Sequence, residues 1–468
     1  MIKNMNTFMN TILQPFISKN KLPNGPEEPE LFQLMNLLVR PLEYVEECVN
    51  RYGYMFTIRP FGFSPLVFIG HSQGIKEIFS THAKSFDIGD TDTKAILHPL
   101  CGDHAIILLN GSEHKRERKL LMPAFHGDRV KLYAEKICEI IDSVTSNWEI
   151  NKPFIARSVM EEITLKTLMH TVFGFSKGGK SKQFMSVITD WIDFINAPVQ
   201  SSLLYVRFLQ VDLGAWSPWG HFIKTKQTID KLLQAELEDR RTNREKLGDD
   251  IFSLMLEATY EDGQTMSDEH VKHELVTLLY AGYETTATAL AWAFYWLEQS
   301  PRVKRKLLQE IDSLGKNPDP IEISKLPYLT AVCEETLRLY PTLPFAFART
   351  AKQDMEIMGR FFEAGTTFYP SIYSVHQQED LYPNPKRFRP ERFLERQYTP
   401  YEFIPFGGGP RFCLGYALAM LEMKLVIASI VSKYNLELAD NQPIKPVLHF
   451  ISSIAPSNGV PLVMTGFR

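Results

Sequence analysis

The run Phe406-Gly407-Gly408-Gly409-Pro410-Arg411-Phe412-Cys413-Leu414-Gly415, which opens the last long helical segment, constrains this chain more than any other feature. A thiol at a helix N-terminus sees the positive end of the helix dipole, and a glycine loop lets backbone N–H groups approach its sulfur. Both effects favour thiolate. A soft, negatively charged sulfur suits iron. The same letters also describe a glycine-rich turn around a buried, inert cysteine, and the glycines with Cys413 alone would favour that plainer account. A dinucleotide loop of the G-x-G-x-x-G type is excluded, because Phe412 occupies the third glycine position.

The other cysteines, Cys48, Cys101, Cys138 and Cys333, make the total odd and form no C-x-x-C pair, so neither a disulfide framework nor a structural zinc site is expected. With 468 residues, 44% of them hydrophobic, the chain can bury a large core; at roughly 150 residues per domain its length suggests about three domains. A net charge of −4 gives no global reason to expect a nucleic-acid partner. A membrane span needs roughly 18 apolar residues in a row, and the best N-terminal candidate, Met1 to Ile17, is interrupted by Lys3, Asn4, Asn6, Asn10 and Gln14. Met1 to Lys21 also lacks a secretory core and cleavage site, so a cytoplasmic protein is expected. The Met1, Met5, Phe8, Ile12 and Phe16 face reads as a frayed or packed arm before it reads as a membrane contact.

Tyr54 to Arg59 and Leu66 to Gly70 read as short strands, and Met355 to Pro370, which alternates and carries Gly359 and Gly365, reads as a hairpin. Apolar spacing of 3.6 residues predicts helices in Val130 to Ile150, Met160 to Phe173, Ile229 to Arg241 and Val271 to Gln299, and a last one from about Leu414 to Tyr434. The expected class is mostly α with small β-sheets, a single α+β unit.

Within the fourth of these helices, Ala281-Gly282-Tyr283-Glu284-Thr285-Thr286 interrupts an apolar run. A mid-helix glycine costs roughly 1 kcal/mol relative to alanine, so the insertion asks for a reason. One reason is a local widening that admits a small ligand, with the Thr285 hydroxyl as donor and Glu284 feeding protons. The other is a kinked helix with a solvent-facing Glu. Glu335 and Arg338 stand one helical turn apart, and Arg392 in Phe388-Arg389-Pro390-Glu391-Arg392-Phe393 could close a three-membered ion network. Gly174 to Ser181 fits the G-x-x-x-x-G-K-[ST] phosphate loop of NTPases. That loop needs a strand before it, whereas Met160 to Phe173 carries a helical period, so the NTPase reading is a remote alternative.

Taken in order, these segments resemble the cytochrome P-450 superfamily of haem-thiolate monooxygenases. Its F-x-x-G-x-R-x-C-x-G signature is met by Phe406, Gly409, Arg411, Cys413 and Gly415, and its A-G-x-[DE]-T helix by Ala281, Gly282, Glu284 and Thr285. The E-x-x-R pair is met by Glu335 and Arg338, and the later aromatic-Arg segment by Phe388 to Phe393. The resemblance implies noncovalent haem b with Cys413 as the axial ligand to iron, a thiolate that pushes electron density to favour O–O cleavage. It implies Thr285, Glu284 and Gly282 on the oxygen side, insertion of one oxygen atom into a C–H bond, and Glu335, Arg338 and Arg392 as fold-keeping. His114 and Arg118, with Arg349 and Arg411, match the positions that bind haem propionates; the family often has Trp where His114 stands. A peroxygenase or hydroperoxide isomerase is the alternative, which the intact Glu284 and Thr285 argue against.

By family position, Ile106, Leu108, Leu278, Ala281, Leu343, Phe345, Phe347 and Ile454 line an apolar pocket, with Met185 to Trp219 as a mobile lid. The C-terminal third is similar to bacterial and cyanobacterial members associated with long-chain fatty acids and alkanes, with terpenes taken by some relatives. Electrons are expected from a separate ferredoxin or flavodoxin, since no reductase segment follows residue 468. Lys115, Arg116 and Lys119 are candidates to dock it. The expected organisation is an arm over residues 1–30, one haem unit over 31–468, and a monomer.

Overall fold

The computed structural model describes residues 22–88, 92–125, 127–175, 179–196, 203–204, 210–440, 442–449 and 453–468. The Met1 to Lys21 reading lies outside them, as do residues 89–91, 176–178, 197–202, 205–209 and 451–452, which belong to the expected pocket loops, phosphate-loop match and lid.

Seven helices position the site: α1 (Gly111–Leu121), α2 (Ala134–Thr145), α3 (Ala156–Thr171), α4 (Pro218–Thr242), α5 (Asp268–Gln299), α6 (Pro327–Leu339) and α7 (Tyr416–Lys433). Their starts are chemically marked. Ser217 accepts the Gly220 amide ahead of α4, and Ser267 accepts the His270 amide ahead of α5, each satisfying an N–H that the first helical turn leaves without a partner. Asp268 and Glu269 in the first turn of α5 complement its dipole. Pro218 and Pro327 sit where a missing N–H costs nothing.

The largest apolar cluster joins Ile137, Ile141 and Val144 of α2, Ile163 of α3, Leu290 to Leu297 of α5, Leu329 and Val332 of α6, and Leu425 to Val431 of α7. A second cluster holds Leu165 and Leu168 of α3, Leu233 and Leu237 of α4, and Leu275 and Leu279 of α5, with Phe173, Trp191 and Phe222. Helix α5 serves both: its first half packs in the second cluster and its second half in the first. The polar insertion Glu284-Thr285-Thr286 falls at the changeover.

The strands are β1 (Met55–Ile58), β2 (Leu66–Ile69), β3 (Phe86–Asp87), β4 (Pro153–Ile155), β5 (Arg349–Ala351), β6 (Met355–Ile357), β7 (Arg360–Phe362), β8 (Thr367–Pro370), β9 (Tyr434–Leu438), β10 (Pro446–His449), β11 (Ser453–Pro456) and β12 (Pro461–Phe467). A five-stranded sheet runs β1-β2-β8-β5-β3, with Leu66 beside Thr367 in the parallel β2–β8 pair. The expected hairpin is confined to β6 and β7, turned by Met358 (φ 49°) and Gly359 (φ 74°). Thr367 to Pro370 leaves it to join the larger sheet. Alternation marks a strand but does not name its neighbour.

The phosphate-loop reading fails. Gly174 follows helix α3, and Gly179 opens another helix (Gly179–Asn196), so no strand feeds the motif.

Candidate active site

Helix α5 is buried on nearly every side at its centre, yet Ala281 is exposed and Leu278, Gly282 and Thr285 keep accessible surface. These positions recur at three- and four-residue spacing, so they form one stripe facing open space inside the protein. Cys413 is similar: it lies deep among protein atoms and retains accessible surface. Leu414 beside it packs against the cluster that also takes Leu278, Ile106, Leu108 and Phe347. A cavity therefore separates the cysteine loop from the middle of α5.

The loop is held by its own backbone. The Cys413 amide donates to the Phe406 carbonyl at 3.0 Å, and the Phe406 ring meets Tyr416 edge-on at 4.8 Å. Gly409 has φ 64°, and a Cβ there would stand 2.3 Å from the Phe79 carbonyl oxygen, so only glycine fits. A Cβ on Gly415, by contrast, would meet nothing within 4 Å. The final helix begins at Tyr416, three residues later than Cys413. Burial pushes the Cys413 thiol up, and the opposing pull of the Gly415 and Tyr416 amides and of Arg118 does not outweigh it. A cation at the sulfur, such as the iron of a bound haem, would favour the ionised form.

Around this space the structure gathers His114, Arg118, Arg349 and Arg411. Burial first, then Arg411, Arg118 and Arg349, press the His114 imidazole down to about 4, so it is neutral at pH 7 and carries one N–H donor. Burial, then Arg411, lowers Arg349 to about 9; burial lowers Arg118 as well, and takes Arg411 to about 10 despite the help of Asp87. Among the described residues none of the four is in an ion pair. Arg349 donates to the carbonyls of Phe347 (2.8 Å) and Ala348 (3.2 Å), and Arg411 to the Leu109 carbonyl and to Asn110 Oδ1 (2.9 Å). Buried guanidinium groups crowded together are unstable without anionic partners. Two carboxylates of a planar cofactor lying between Cys413 and α5 fit that demand. Asn110, whose Oδ1 also accepts the Ile88 amide at 2.9 Å, is a tether that sequence reasoning missed.

On the opposite wall, the Thr285 hydroxyl donates to the Ala281 carbonyl at 2.7 Å, and α5 continues without interruption through Gly282. A Cβ on Gly282 would come within 3.0 Å of Leu168 on α3, so the glycine lets those two helices approach. Glu284 is not solvent-facing: it is 1% exposed. Arg157 Nη2 reaches both its oxygens at 2.9 Å, while His449 Nδ1, Ser453 Oγ and Thr288 Oγ1 each stand 3.1 Å from Oε1. Burial alone would raise this carboxyl, but the His449 hydrogen bond and the Arg157 charge together hold it below the usual range. No local signal could have found Arg157 and His449, which are 127 and 165 residues away.

The expected ion network is assembled. Arg338 donates to both oxygens of Glu335 (2.7 and 3.0 Å), and Arg392 Nε to Oε1 (3.1 Å), all three buried. Arg338 also binds the His376 carbonyl at 2.8 Å, and His376 Nε2 accepts the Ile404 amide at 3.0 Å, two residues before Phe406. Burial, then Arg338, keeps that imidazole well below its ordinary pKa and neutral, as an acceptor must be.

The pocket candidates divide. Ile106, Leu108, Leu278 and Phe347 share one apolar cluster, and Ala281 and Leu343 keep accessible surface. Phe345 packs against Phe68 and Tyr369, and Ile454 with Leu42 and Tyr373, in clusters of their own. Of the basic face, Arg116 pairs with Asp262 at 2.8 Å and Lys119 with Glu261, so a neighbouring acidic loop already engages two of its three cations. Among the described residues, no helix is long and apolar enough to cross a membrane.

The cytochrome P450 family model, in its printed description "Cytochrome P450", matches residues 23–462. The Mycobacterium tuberculosis protein named cytochrome P-450 135B1 is 32% identical over 437 residues, 92% of this chain and 89% of that protein. Cytochrome P-450 138 of Mycobacterium bovis is 30% identical over 421 residues, 89% of this chain and 90% of the relative. A solved structure described as retinoic acid bound cyanobacterial CYP120A1 superposes with a TM-score of 0.81 at 24% identity, covering 96% of this chain and all of that one. The chain belongs to the cytochrome P-450 family of haem-thiolate monooxygenases.

Proposed function

We propose that this monooxygenase holds haem b between the Cys413 loop and α5 and inserts one oxygen atom from O2 into a C–H bond of an apolar substrate, a long-chain fatty acid, an alkane or a terpene. The observation that carries the assignment of the site is the group of four basic side chains, in no ion pair among the described residues, beside a cavity floored by Cys413. Arg118, Arg349 and Arg411 would neutralise the propionates, His114 would add a neutral N–H donor, and the Cys413 sulfur would ligate the iron. When bound, the haem supplies the redox chemistry that activates dioxygen.

The remaining work falls to α5 and the hairpin β10–β11. Thr285 presents its hydroxyl to the cavity, where it can hand a proton to an oxygen facing Ala281. Glu284 holds its charge through Arg157, and His449, which is part-exposed, links that buried carboxylate to solvent as a route for protons. Ile106, Leu108, Leu278 and Phe347 exclude water and offer an apolar substrate its contacts. Electrons come from a ferredoxin or flavodoxin, for which Lys115 and the partly engaged Arg116 and Lys119 are the docking candidates. One haem unit over residues 31–468, monomeric and cytoplasmic, is the proposed organisation.

Thr285→Ala tests the proton-delivery role. A positioned proton donor contributes typically 10²–10⁴-fold, so product formed per O2 consumed is expected to fall by about tenfold or more while O2 consumption continues. Unchanged coupling would sink that role. The apolar pocket is tested by adding fatty acids, alkanes and terpenes of graded length to the purified holoprotein and recording the low-to-high spin shift. At least one class is expected to respond with an affinity that rises with chain length, by about 0.8 kcal/mol per buried methylene; silence from all three classes contradicts it.

A further inference from the structure

Outside the cofactor cavity, the first third of α5 carries a second set of ligand-bearing side chains. Glu269 and His273, and beside them His270 and Glu274, stand four residues apart on adjacent rows of the helix. Glu117 of α1 meets the inner row: one ligand atom from each of Glu117, His270 and Glu274 lies within 4.8 Å of the other two. His270 Nε2 is 3.3 Å from Glu117 Oε2.

The oxygens of this group are not equally engaged. The Tyr260 hydroxyl donates to both oxygens of Glu117 (3.1 and 2.9 Å), and the Ile106 amide donates to Glu274 Oε1 at 2.7 Å. Among the described residues Glu274 Oε2 has no hydrogen-bond partner, and Glu274 is 0% exposed. An idle carboxylate oxygen in a buried site costs free energy unless something occupies it. Glu117 is buried as well, and its neighbour in sequence, Arg116, is committed to Asp262 and to the face of Tyr260.

We propose that Glu117, His270 and Glu274 form a binding site for a divalent metal ion of the zinc type. One imidazole and two carboxylates are a donor set that zinc accepts, with water in the fourth position. At bond lengths of about 2.0–2.2 Å, two ligands of one ion are at most about 4.4 Å apart, so small side-chain rotations close the group on the ion. Its charge answers both carboxylates and takes up the idle oxygen. Tyr260 and the Ile106 amide fix the carboxylates from outside, as the groups behind metal ligands do. Bound there, the ion fastens α1, which carries His114 and Arg118, to α5.

The outer row is the built-in control. His104, Glu269 and His273 also bring ligand atoms within 4.8 Å of one another, but Glu269 is exposed, and the His104 amide points at His273 Nδ1 from 3.4 Å. The holoprotein is stripped with a chelator, equilibrated with zinc chloride, desalted, and analysed for metal; affinity is read by competition with a chromophoric chelator. The expected result is one zinc per chain, with affinity lowered at least tenfold in Glu274→Gln and in His270→Ala and unchanged in His273→Ala. Glu274→Gln keeps the shape of the side chain, and an unchanged haem spectrum certifies each variant as folded. The proposal is overturned if wild-type protein retains no stoichiometric zinc, if neither inner-row variant weakens binding, or if His273→Ala is the variant that loses it. The wild-type measurement decides by itself should a variant fail to fold.

Discussion

Glu335→Ala is expected to yield protein that is destabilised by about 3–5 kcal/mol, the usual consequence of removing one member of a buried ion pair, and that holds little haem. The magnitude follows from what is left behind. Arg338 is 0% exposed and Arg392 2%, and both direct donors at Glu335, so the variant strands two buried guanidinium groups. The Arg389 amide, 2.8 Å from Glu335 Oε1, loses its acceptor too. Against a total stability of about 5–15 kcal/mol, this is a large fraction. The loss reaches the cofactor loop because Arg338 holds the His376 carbonyl and His376 holds Ile404, which leads into Phe406. Urea denaturation and haem content measured on the same preparation check this. A variant with the wild-type midpoint and full haem occupancy would show that the network is dispensable.

Cys413→Ala is expected to remove monooxygenase activity, by on the order of 10²-fold or more on the scale of losing a positioned catalytic group, while leaving the fold nearly intact. Alanine removes a sulfur that makes no structural hydrogen bond to another side chain. The Cys413 amide still donates to Phe406, and Gly409 still turns against Phe79. The two substitutions therefore separate. Glu335→Ala lowers stability and activity together, and Cys413→Ala lowers activity with a denaturation midpoint within about 1 kcal/mol of wild type, as expected for a change that leaves the packed core untouched.

What could be read from the sequence was whatever the chain keeps contiguous. The Phe406 to Gly415 loop, the Ala281 to Thr286 insertion and the Glu335–Arg338 pair each lie within a few residues, and helical or loop geometry fixes their relations directly. Even there the expected helix start, Leu414, lies two residues before the observed one, Tyr416, because the Cys413 amide turns back to the Phe406 carbonyl and keeps the loop out of the helix. The setting of Glu284 was invisible: its partners come from α3 and from the β10–β11 hairpin, and nothing local marks Arg157, His449 or Ser453. The partners of the charge on α1 were invisible for the same reason, since Glu261 and Asp262 answer Lys119 and Arg116 across more than 140 residues. The burial around the Cys413 thiol is set by tertiary packing, of which composition carries no measure.

The carbon monoxide difference spectrum of the reduced protein tests the central claim most directly, because it reports the axial ligand itself. Wild-type protein purified with its haem is predicted to show the band at the haem-thiolate position, and Cys413→Ala, refolded or expressed alongside and matched for protein concentration, is predicted to lose it. A wild-type spectrum without that band, or a Cys413→Ala spectrum that keeps it, would contradict the assignment of Cys413 as the ligand on which the whole site is built.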